Sequence, residues 1–218
     1  MSKKHHQEVD TNIESLSKAE AFVTKHNKKI IAAVIAIIVI AGGYLFWRHM
    51  DQKKADAAKE AFTQLENNAL MSVDSLTNAI ALNELEQYMN EYGDKAVVIA
   101  PFEAGVAAFE AKDYEKALNF FTQYKGNDAI YNARALYCIA ACHIELGNYE
   151  KAYENLALAV ATADNELAAE YAFQAGLVAE KLGKNDKALA MYQLIKNKYP
   201  ETPRGKEIDK YISRVENK

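Results

Sequence analysis

The sequence predicts an all-α protein in which an N-terminal transmembrane helix leads through a helical stalk into a solenoid of about three helical hairpins and a C-terminal capping helix. Three observations predict this arrangement. An apolar run without a charged residue extends from Ile30 to Trp47. Three similar stretches place Ala117, Ala152 and Ala188 at intervals of 35 and 36 residues. Only three prolines and nine glycines occur in 218 residues, which leaves little room for the turns of a β-protein.

Charge is distributed unevenly along the chain. Residues 1–50 carry seven Lys/Arg and four Asp/Glu, whereas residues 51–218 carry nineteen Lys/Arg and twenty-six Asp/Glu. The larger part is therefore acidic and has no stripe of basic residues that would contact phosphates. This charge pattern argues against nucleic acid as a partner.

Residues 1–29 are predicted to form a short tail with an amphipathic segment at 13–24. A segment with apolar residues at helical spacing can lie on a membrane surface, although a frayed tail with chance spacing fits so few turns equally well. The apolar residues are Ile13, Leu16, Ala19, and Phe22 or Val23.

Residues 30–48 are predicted to span a membrane once. The apolar run extends roughly 27 Å as an α-helix, which is close to the hydrocarbon thickness of a bilayer. A cleaved signal peptide is the alternative, but the run is long for one and no small-x-small cleavage site follows it. Tyr44, Phe46, Trp47 and Arg48 end the span instead, and such residues anchor a helix at the membrane interface.

The orientation of the span depends on the basic residues that flank it. The two flanks carry similar numbers of Lys and Arg, so the positive-inside count is nearly balanced. Lys25, Lys28 and Lys29 crowd the N-terminal end of the span, and a short tail is readily retained. The sequence therefore places residues 1–29 in the cytoplasm and residues 49–218 outside it.

Residues 49–74 are predicted to form a helical stalk, because the chain from Asp51 to Leu70 is rich in Ala, Lys and Glu and contains no Gly or Pro. Residues 75–218 form the predicted repeat domain. Asp74 or Ser75 can cap its first helix, which ends at Gly93.

Three repeats follow, each predicted as a pair of antiparallel helices with a short corner that contains Gly, Asp or Asn. Asp128 is a predicted N-cap of the second repeat, and Asp164 or Asn165 of the third. Two prolines end the third repeat, and a final helix covers the open end of the solenoid. The repeats are placed at about 97–125, 129–162 and 165–198, and the cap at 202–217.

The repeats resemble the tetratricopeptide repeat at the residues that set how its two helices pack. The first helix carries a small residue, and the second carries an alanine followed one turn later by a bulky residue. Small residues let the helices approach closely, and the bulky residue fills the adjoining gap. The small residues are Gly105, Ala140 and Gly176, the alanines are Ala117, Ala152 and Ala188, and the bulky residues are Phe121, Leu156 and Tyr192.

A narrower resemblance covers nearly the whole chain. A basic tail, the segment Ser-Lys-Ala-Glu-Ala-Phe-Val at 17–23, one span ending in Gly-Gly-Tyr at 42–44, and repeats ending in Tyr-Pro-Glu-Thr-Pro at 199–203 are together similar to the bacterial YfgM-like family. The resemblance implies a single-pass inner-membrane protein with a periplasmic repeat domain. It further implies association with the Sec translocon and with periplasmic chaperones, and hence an ancillary role in protein export.

The ligand-facing positions of the tetratricopeptide repeat, on the first helix of each hairpin, predict a concave groove for an apolar or aromatic segment of a partner polypeptide. The alternative is that the stalk, the capping helix or a second copy of the protein fills this groove. The predicted contact residues are Phe102, Val106, Phe109, Tyr137, Ala141, Ile144, Phe173 and Leu177, with Glu180 at the equivalent polar position, and the rim residues are Glu110, Arg134, Glu145 and Lys181.

No residue pattern predicts catalysis, a cofactor or a metal site. Cys138 and Cys142 lie one helical turn apart, a poor geometry for a disulfide, and are predicted to be small buried apolar groups. His143 is adjacent to Cys142, but neighbouring helical residues point about 100° apart and no fourth ligand is close in sequence. A thiol or metal enzyme built on these residues is the weakest of three hypotheses.

Two non-enzymatic hypotheses remain. In the first, the protein is a membrane-tethered scaffold whose repeats bind a translocon subunit, a chaperone or an exported client. In the second, the repeats self-associate and organise an envelope assembly, such as the division or outer-membrane biogenesis machinery. Both hypotheses need the same exposed apolar surface, so the sequence does not separate them.

Overall fold

The computed structural model describes residues 2–70 and 75–217, with side chains at Glu20, at residues 23–67 and at residues 80–217. Within these ranges every regular element is a helix and no strand occurs, as the sequence predicts. The predicted cap Asp74 lies outside the described residues. So do the side chains of most of the predicted amphipathic segment, which are those of Ile13, Leu16, Ala19 and Phe22.

The chain divides into two compact units, Met1–Lys54 and Ala55–Lys218. The first unit consists of the early part of helix α1, whose full extent is Ser2–Leu70. Its large apolar side chains from Ile31 to Trp47 are between 49% and 71% exposed, so they form no core of their own. By length and composition this helix is able to cross a membrane.

The second unit starts with the packing of the last part of α1 against helix α2, Ser75–Tyr92. Ala58 is fully buried, and the ring of buried Phe62 lies 5.5 Å from the ring of Tyr88. Ala58, Phe62 and Leu65 recur at helical spacing, which gives this part of α1 an apolar face. The residues after Ala55 thus pack into the helical domain, whereas the sequence placed 49–74 in a separate stalk.

Three helical hairpins follow, and the helices of each lie within a predicted repeat. Neighbouring helices pack in chain order, so each repeat covers the apolar face of the preceding one. A single 3₁₀ turn at Gly93–Lys95 precedes them. The hairpins are α3 (Ala100–Glu110) with α4 (Tyr114–Gln123), α5 (Ala129–Glu145) with α6 (Tyr149–Thr162), and α7 (Leu167–Lys181) with α8 (Asn185–Lys198).

The two helices of each hairpin meet at the predicted small residues. A Cβ added to Gly105 would lie 2.7 Å from the Phe121 ring, and one added to Gly176 would lie 2.2 Å from the Tyr192 ring. The aromatic rings therefore occupy the space that a larger residue on the first helix would need. In the second repeat Ala140 shares a core cluster with Leu156. The alanines of the second helices, Ala117, Ala152 and Ala188, are all fully buried.

The corners of the three hairpins share a left-handed backbone conformation. Gly147 has φ +74° and Gly183 has φ +70°, values that glycine adopts without a steric penalty. The first repeat has Lys112 at the equivalent position, with φ +63°. This corner is continued by Asp113, whose carboxylate accepts a hydrogen bond of 3.1 Å from the Lys116 amide and so caps α4.

Polar side chains begin the first helices of the second and third repeats. The Asp128 carboxylate accepts hydrogen bonds of 2.9 Å from the amides of both Ile130 and Tyr131, as predicted for the N-cap of α5. Asn165 accepts one of 2.9 Å from the Leu167 amide, although Glu166 holds the N-cap position of α7.

The predicted capping helix is present as two short helices, α9 (Pro203–Glu207) and α10 (Asp209–Glu216). The break lies at Ile208, whose amide bonds back three residues to Gly205 rather than four. Ile208, Ile212 and Val215 are at most 8% exposed and share a core cluster with residues of α8. These buried side chains tie the two helices to the third repeat.

Candidate functional site

The predicted groove residues lie on α3, α5 and α7, the first helices of the three repeats. Stacked hairpins place their first helices side by side along one face of the solenoid, here called the concave face. Because the predicted contact residues recur at the same helical positions in each repeat, differences in their exposure come from the elements that pack against them.

Phe102 of α3 is in the core rather than on the concave surface. Its side chain is 4% exposed, and its ring lies within 6 Å of the rings of Phe121, Tyr124 and Tyr131. The Arg134 guanidinium covers the ring at 5.7 Å from its centroid. The prediction that Phe102 contacts a partner does not agree with this burial, because rings from its own repeat (Phe121 and Tyr124) and one from the next (Tyr131) enclose it.

Val106 and Phe109 continue the same face of α3. Val106 is 38% exposed, the largest exposure among the predicted contact residues of this helix. Phe109 is half-buried and packs edge to face on Tyr114, with 5.2 Å between ring centroids. Both side chains leave apolar surface open to a ligand.

The second repeat presents Tyr137, Ala141 and Ile144, which are all half-buried. The Tyr137 ring lies 5.0 Å from the ring of Tyr171 on α7. Burial, and next the nearby Glu170 carboxylate, raises the pKa of the Tyr137 hydroxyl, so this group stays neutral and able to donate a hydrogen bond at physiological pH. Val106, Phe109, Tyr137, Ala141 and Ile144 together form the open part of the predicted groove, which we call the apolar face.

The third repeat has its predicted contact residues covered by the C-terminal helices. Phe173 is 3% exposed, because Arg204 lies over its ring at 3.9 Å and Tyr211 packs edge to face at 4.8 Å. Leu177 is half-buried beside the same core cluster. The prediction that Phe173 contacts a partner therefore does not agree with its burial either: here the capping segment fills the groove.

Two ion pairs hold the C-terminal helices against α7, and the sequence analysis did not predict them. Arg204 donates to Glu170 at 2.7 Å and to Glu207 at 2.9 Å. Arg214 pairs with Glu180, which also accepts a hydrogen bond of 2.7 Å from the Tyr192 hydroxyl. Each pair between α7 and the C-terminal helices joins residues 34 positions apart, so a search for opposite charges at about one repeat length would have found both.

The four predicted rim residues are all exposed. Lys181 lies 5.4 Å above the Tyr149 ring, and Arg134 covers Phe102 as described. Glu145 raises the pKa of the Tyr114 hydroxyl, although burial is the larger cause. Glu110 is exposed at the end of α3. The rim therefore contains both signs of charge.

The cysteines and His143 do not form a reactive site. Burial raises the pKa of the Cys138 thiol to about 11 and that of Cys142 to about 12, so neither is a thiolate at neutral pH. Burial also lowers the pKa of His143, whose Nδ1 atom has no hydrogen-bond partner among the described residues. No group of three or more metal-ligating side chains occurs in the described part of the chain.

The third repeat and the capping segment enclose a cavity that the sequence did not predict. It has a volume of about 660 Å³ and lies between the N-terminal ends of α7 and α9. Leu167, 45% exposed, and Pro203 contribute apolar surface, and the Glu170–Arg204 ion pair lies at one side. The cavity is an opening between the third repeat and the capping segment, and Glu166 also lines it.

Comparison with known proteins identifies the architecture. The profile of the tetratricopeptide repeat-like domain family matches residues 20–208. The solved structure of the MamA protein has a TM-score of 0.56 at 15% identity, over 75% of this chain and 83% of that one. YrrB, a tetratricopeptide repeat protein with an unusual peptide-binding site, has a TM-score of 0.52 at 18% identity, over 75% of this chain and 94% of that one.

A third structure, the putative kinesin light chain of Podospora anserina with nearly identical repeats, has a TM-score of 0.52 at 13% identity, over 76% of this chain and 84% of that one. These identities are low, so the likeness is one of fold. No curated protein sequence matches the chain.

Proposed function

Because the chain belongs to the tetratricopeptide repeat-like domain family, we propose that it is a non-enzymatic, membrane-tethered scaffold that binds other proteins through its repeats. Residues 30–48 cross a bacterial inner membrane once, with residues 1–29 in the cytoplasm and the repeat domain in the periplasm. The partners are translocon subunits, periplasmic chaperones or exported clients, and the protein is ancillary to Sec-dependent export.

The observation that carries this proposal is the exposed apolar run of α1. From Ile31 to Trp47 every large apolar side chain is about half exposed or more, and Ile40 reaches 71%. A continuous apolar surface of this length is unfavourable in water. The hydrocarbon core of a bilayer would cover it and has a thickness close to the length of the run. Lys28 and Lys29 before the run, and Trp47 and Arg48 at its end, suit the two membrane interfaces.

The apolar face supports the binding part of the proposal. It lies on first helices, where repeat proteins of this kind take up extended or helical peptides, and it has half-exposed apolar side chains between charged rim residues. The covered third repeat limits the ligand to the groove of the first two repeats. A ligand of this size is one short segment of a partner and not a whole domain.

The test is photo-crosslinking in living cells from position Val106 of the full chain, replaced by a photoreactive amino acid. The matched control is Leu158, an apolar residue of α6 that is 55% exposed on a second helix. We expect Val106, and not Leu158, to crosslink to an export or folding component, which mass spectrometry identifies. Equal crosslinking from both positions would contradict a specific groove.

The second candidate is a self-associating organiser of an envelope assembly. It is favoured by the presence of apolar surface that no described residue covers on α3 and α5. In that case crosslinks from Val106 join two copies of the protein and no other species. The membrane tether is tested separately by extraction at high pH: the full chain is expected to stay with the membrane, and release into the supernatant would contradict it.

A further inference from the structure

The repeat domain carries charges of opposite sign at its two ends. Residues 55–95 contain eight Asp/Glu and two Lys/Arg, whereas residues 181–218 contain ten Lys/Arg and five Asp/Glu. The intervening residues 96–180 are acidic, with twelve Asp/Glu and five Lys/Arg. The basic residues are therefore concentrated at the C-terminal end of an otherwise acidic solenoid.

These two segments lie at opposite ends of the second unit. The first consists of the C-terminal part of α1 together with α2, and the second of α8, α9 and α10, while the helices between them pack in chain order. A solenoid of consecutive hairpins separates its first and last elements by its full length. The charges at the two ends thus cannot neutralise one another within one copy.

At the acidic end, several carboxylates have no cationic partner. Asp56 pairs with Lys59, Glu86 with Lys116 and Asp94 with Lys95. Among the described side chains, no Lys or Arg lies within ion-pair distance of the other carboxylates of this hairpin, which are Glu60, Glu66, Glu84 and Glu91. The acidic end therefore has charge that a basic surface can neutralise.

A shallow cavity of about 310 Å³ lies among these carboxylates, between α1 and α2. Glu84 and Glu91 line it together with the half-buried Leu65 and Tyr92 and the buried Tyr88. Acidic groups around an apolar floor suit a basic side chain, whose methylene stem covers the apolar surface while its ammonium group meets the carboxylates.

At the basic end, several cations are held in internal ion pairs. Arg204 pairs with Glu170, Arg214 with Glu180, and Lys210 with Glu207. Lys196 pairs with Asp209 at 2.8 Å. Lys198 and Lys206 are exposed, and neither has an acidic partner among the described residues. These two lysines leave positive charge available to a second molecule.

We propose that copies of this chain associate head to tail, with the basic end of one solenoid (residues 181–217) docked on the acidic hairpin of the next (residues 55–70 and 75–92). Charge complementarity favours this contact over a side-by-side one, because the acidic middle segments of two copies repel each other. The interface is heterologous, so it extends into open chains unless the rotation between copies closes a ring. The inference goes beyond the proposed function and uses none of the residues of the apolar face.

The test uses the full chain in detergent and measures self-association by sedimentation velocity at low and high salt. An acidic-end variant, Glu84→Lys with Glu91→Lys, reverses the charge of the two carboxylates that line the cavity. A basic-end variant, Lys198→Glu with Lys206→Glu, reverses the charge of the two lysines that have no acidic partner among the described residues. Each variant alone is expected to associate about tenfold more weakly than the wild-type chain, and salt is expected to weaken association of the wild type.

An equimolar mixture of the two variants distinguishes this interface from others. In the mixture, each contact between unlike variants pairs either two unchanged ends or the two sets of reversed side chains, so opposite charges meet again. Association is expected to return to within about threefold of the wild-type affinity. A contact between identical surfaces would not be restored in this way. Recovery in the mixture also shows that both variants are folded.

The control variants place the same charge changes on second helices or just after one, as Glu115→Lys with Glu154→Lys and as Lys125→Glu with Lys151→Glu. They are expected to associate as the wild type does, within about twofold. A wild-type chain that stays monomeric at low salt overturns the proposal, and so does equal weakening by the control variants or a mixture that fails to recover. Each of these results leaves the crosslinking test at Val106 unaffected.

Discussion

In the second repeat, Tyr137, Ala141 and Ile144 remain half-buried on the concave face, whereas Phe173 in the third repeat lies beneath Arg204 and Tyr211. The two hairpins have the same construction, and their first helices carry these residues at equivalent positions. What differs is the next element along the chain, a further hairpin in one case and two short C-terminal helices in the other. A position in the repeat therefore does not by itself define a binding residue.

The largest expected effect concerns the closest contact between the two helices of a hairpin, which is tighter in the third repeat than in the second. Gly176→Ala places a methyl group 2.2 Å from the Tyr192 ring, which is fully buried and hydrogen bonded to Glu180. We expect a loss of about 2 to 3 kcal/mol of unfolding free energy, because the ring cannot move without disturbing the core. Thermal unfolding of the full chain, followed by near-UV circular dichroism, measures this loss.

The matched control for Gly176→Ala is Ala140→Gly in the second repeat. Here the smaller partner Leu156 already accepts a methyl group, and we expect a loss of only about 1 kcal/mol from the lower helix propensity of glycine. Equal effects at the two positions would show that the identity of the bulky partner does not matter.

The second prediction concerns the cover of the third repeat. Arg204→Ala removes a guanidinium that lies 3.9 Å above Phe173 and pairs with two carboxylates, and we expect a loss of about 1 kcal/mol. Arg134→Ala removes the equivalent arginine in the second repeat, which lies 5.7 Å above Phe102, and should cost less than about 0.5 kcal/mol. Denaturant titration measures the unfolding free energy of both variants. A larger loss for Arg134→Ala than for Arg204→Ala would contradict this prediction.

The third prediction compares the starts of the two first helices. Asp128→Ala removes two hydrogen bonds to backbone amides and should lower stability by about 1 kcal/mol. Asn165→Ala removes one and should cost about half as much. The same denaturant titration measures both variants, and an unchanged midpoint for Asp128→Ala would contradict the role of this residue as a cap.

The smallest expected effect is a pH dependence that belongs to the third repeat. Burial alone would raise the pKa of the Glu170 carboxyl, but hydrogen bonds from Arg204 and Gln174 outweigh burial, and the pKa is lowered. A lowered folded-state pKa contributes stability that is present above the ordinary carboxyl value and lost as the pH falls through the folded-state value. We therefore expect Glu170→Gln to flatten the fall in melting temperature between about pH 5 and pH 3.

The control for this pH effect is Glu154→Gln, which changes an exposed carboxylate of α6 in the second repeat. It should retain the pH dependence of the wild type. A Glu170→Gln chain whose melting temperature still falls as steeply as that of the wild type would show that other carboxylates dominate acid unfolding.

The hairpins were predictable because their signals are local. The alanine period, the glycine corners and the cap at Asp128 each depend on residues within one repeat, and the helices lie inside the predicted bounds. The packing of Gly105 on Phe121 and of Gly176 on Tyr192 followed from the same repeat pattern. Short-range geometry is fixed by helix periodicity, which the sequence displays directly.

The covered and open parts of the groove were not predictable in the same way. Burial of Phe102 depends on Tyr124 and Tyr131, which approach it from the end of α4 and the start of α5. Burial of Phe173 depends on the path of the chain after Thr202 and on ion pairs between residues 34 positions apart. The packing of Phe62 on Tyr88 was not predictable either, because it joins two helices whose residues are 26 positions apart and follow no repeat pattern.

The left-handed backbone of Lys112 gives the three hairpins unequal resistance to local opening. A side chain at this conformation costs roughly 1 kcal/mol more than the glycine found at the other two corners. We therefore expect the corner between α3 and α4 to open most easily, so that its amides exchange with solvent before those at Gly147 and Gly183. Under mild denaturing conditions the array would loosen at its first hairpin, while the third, held by the C-terminal helices, would be the last to separate.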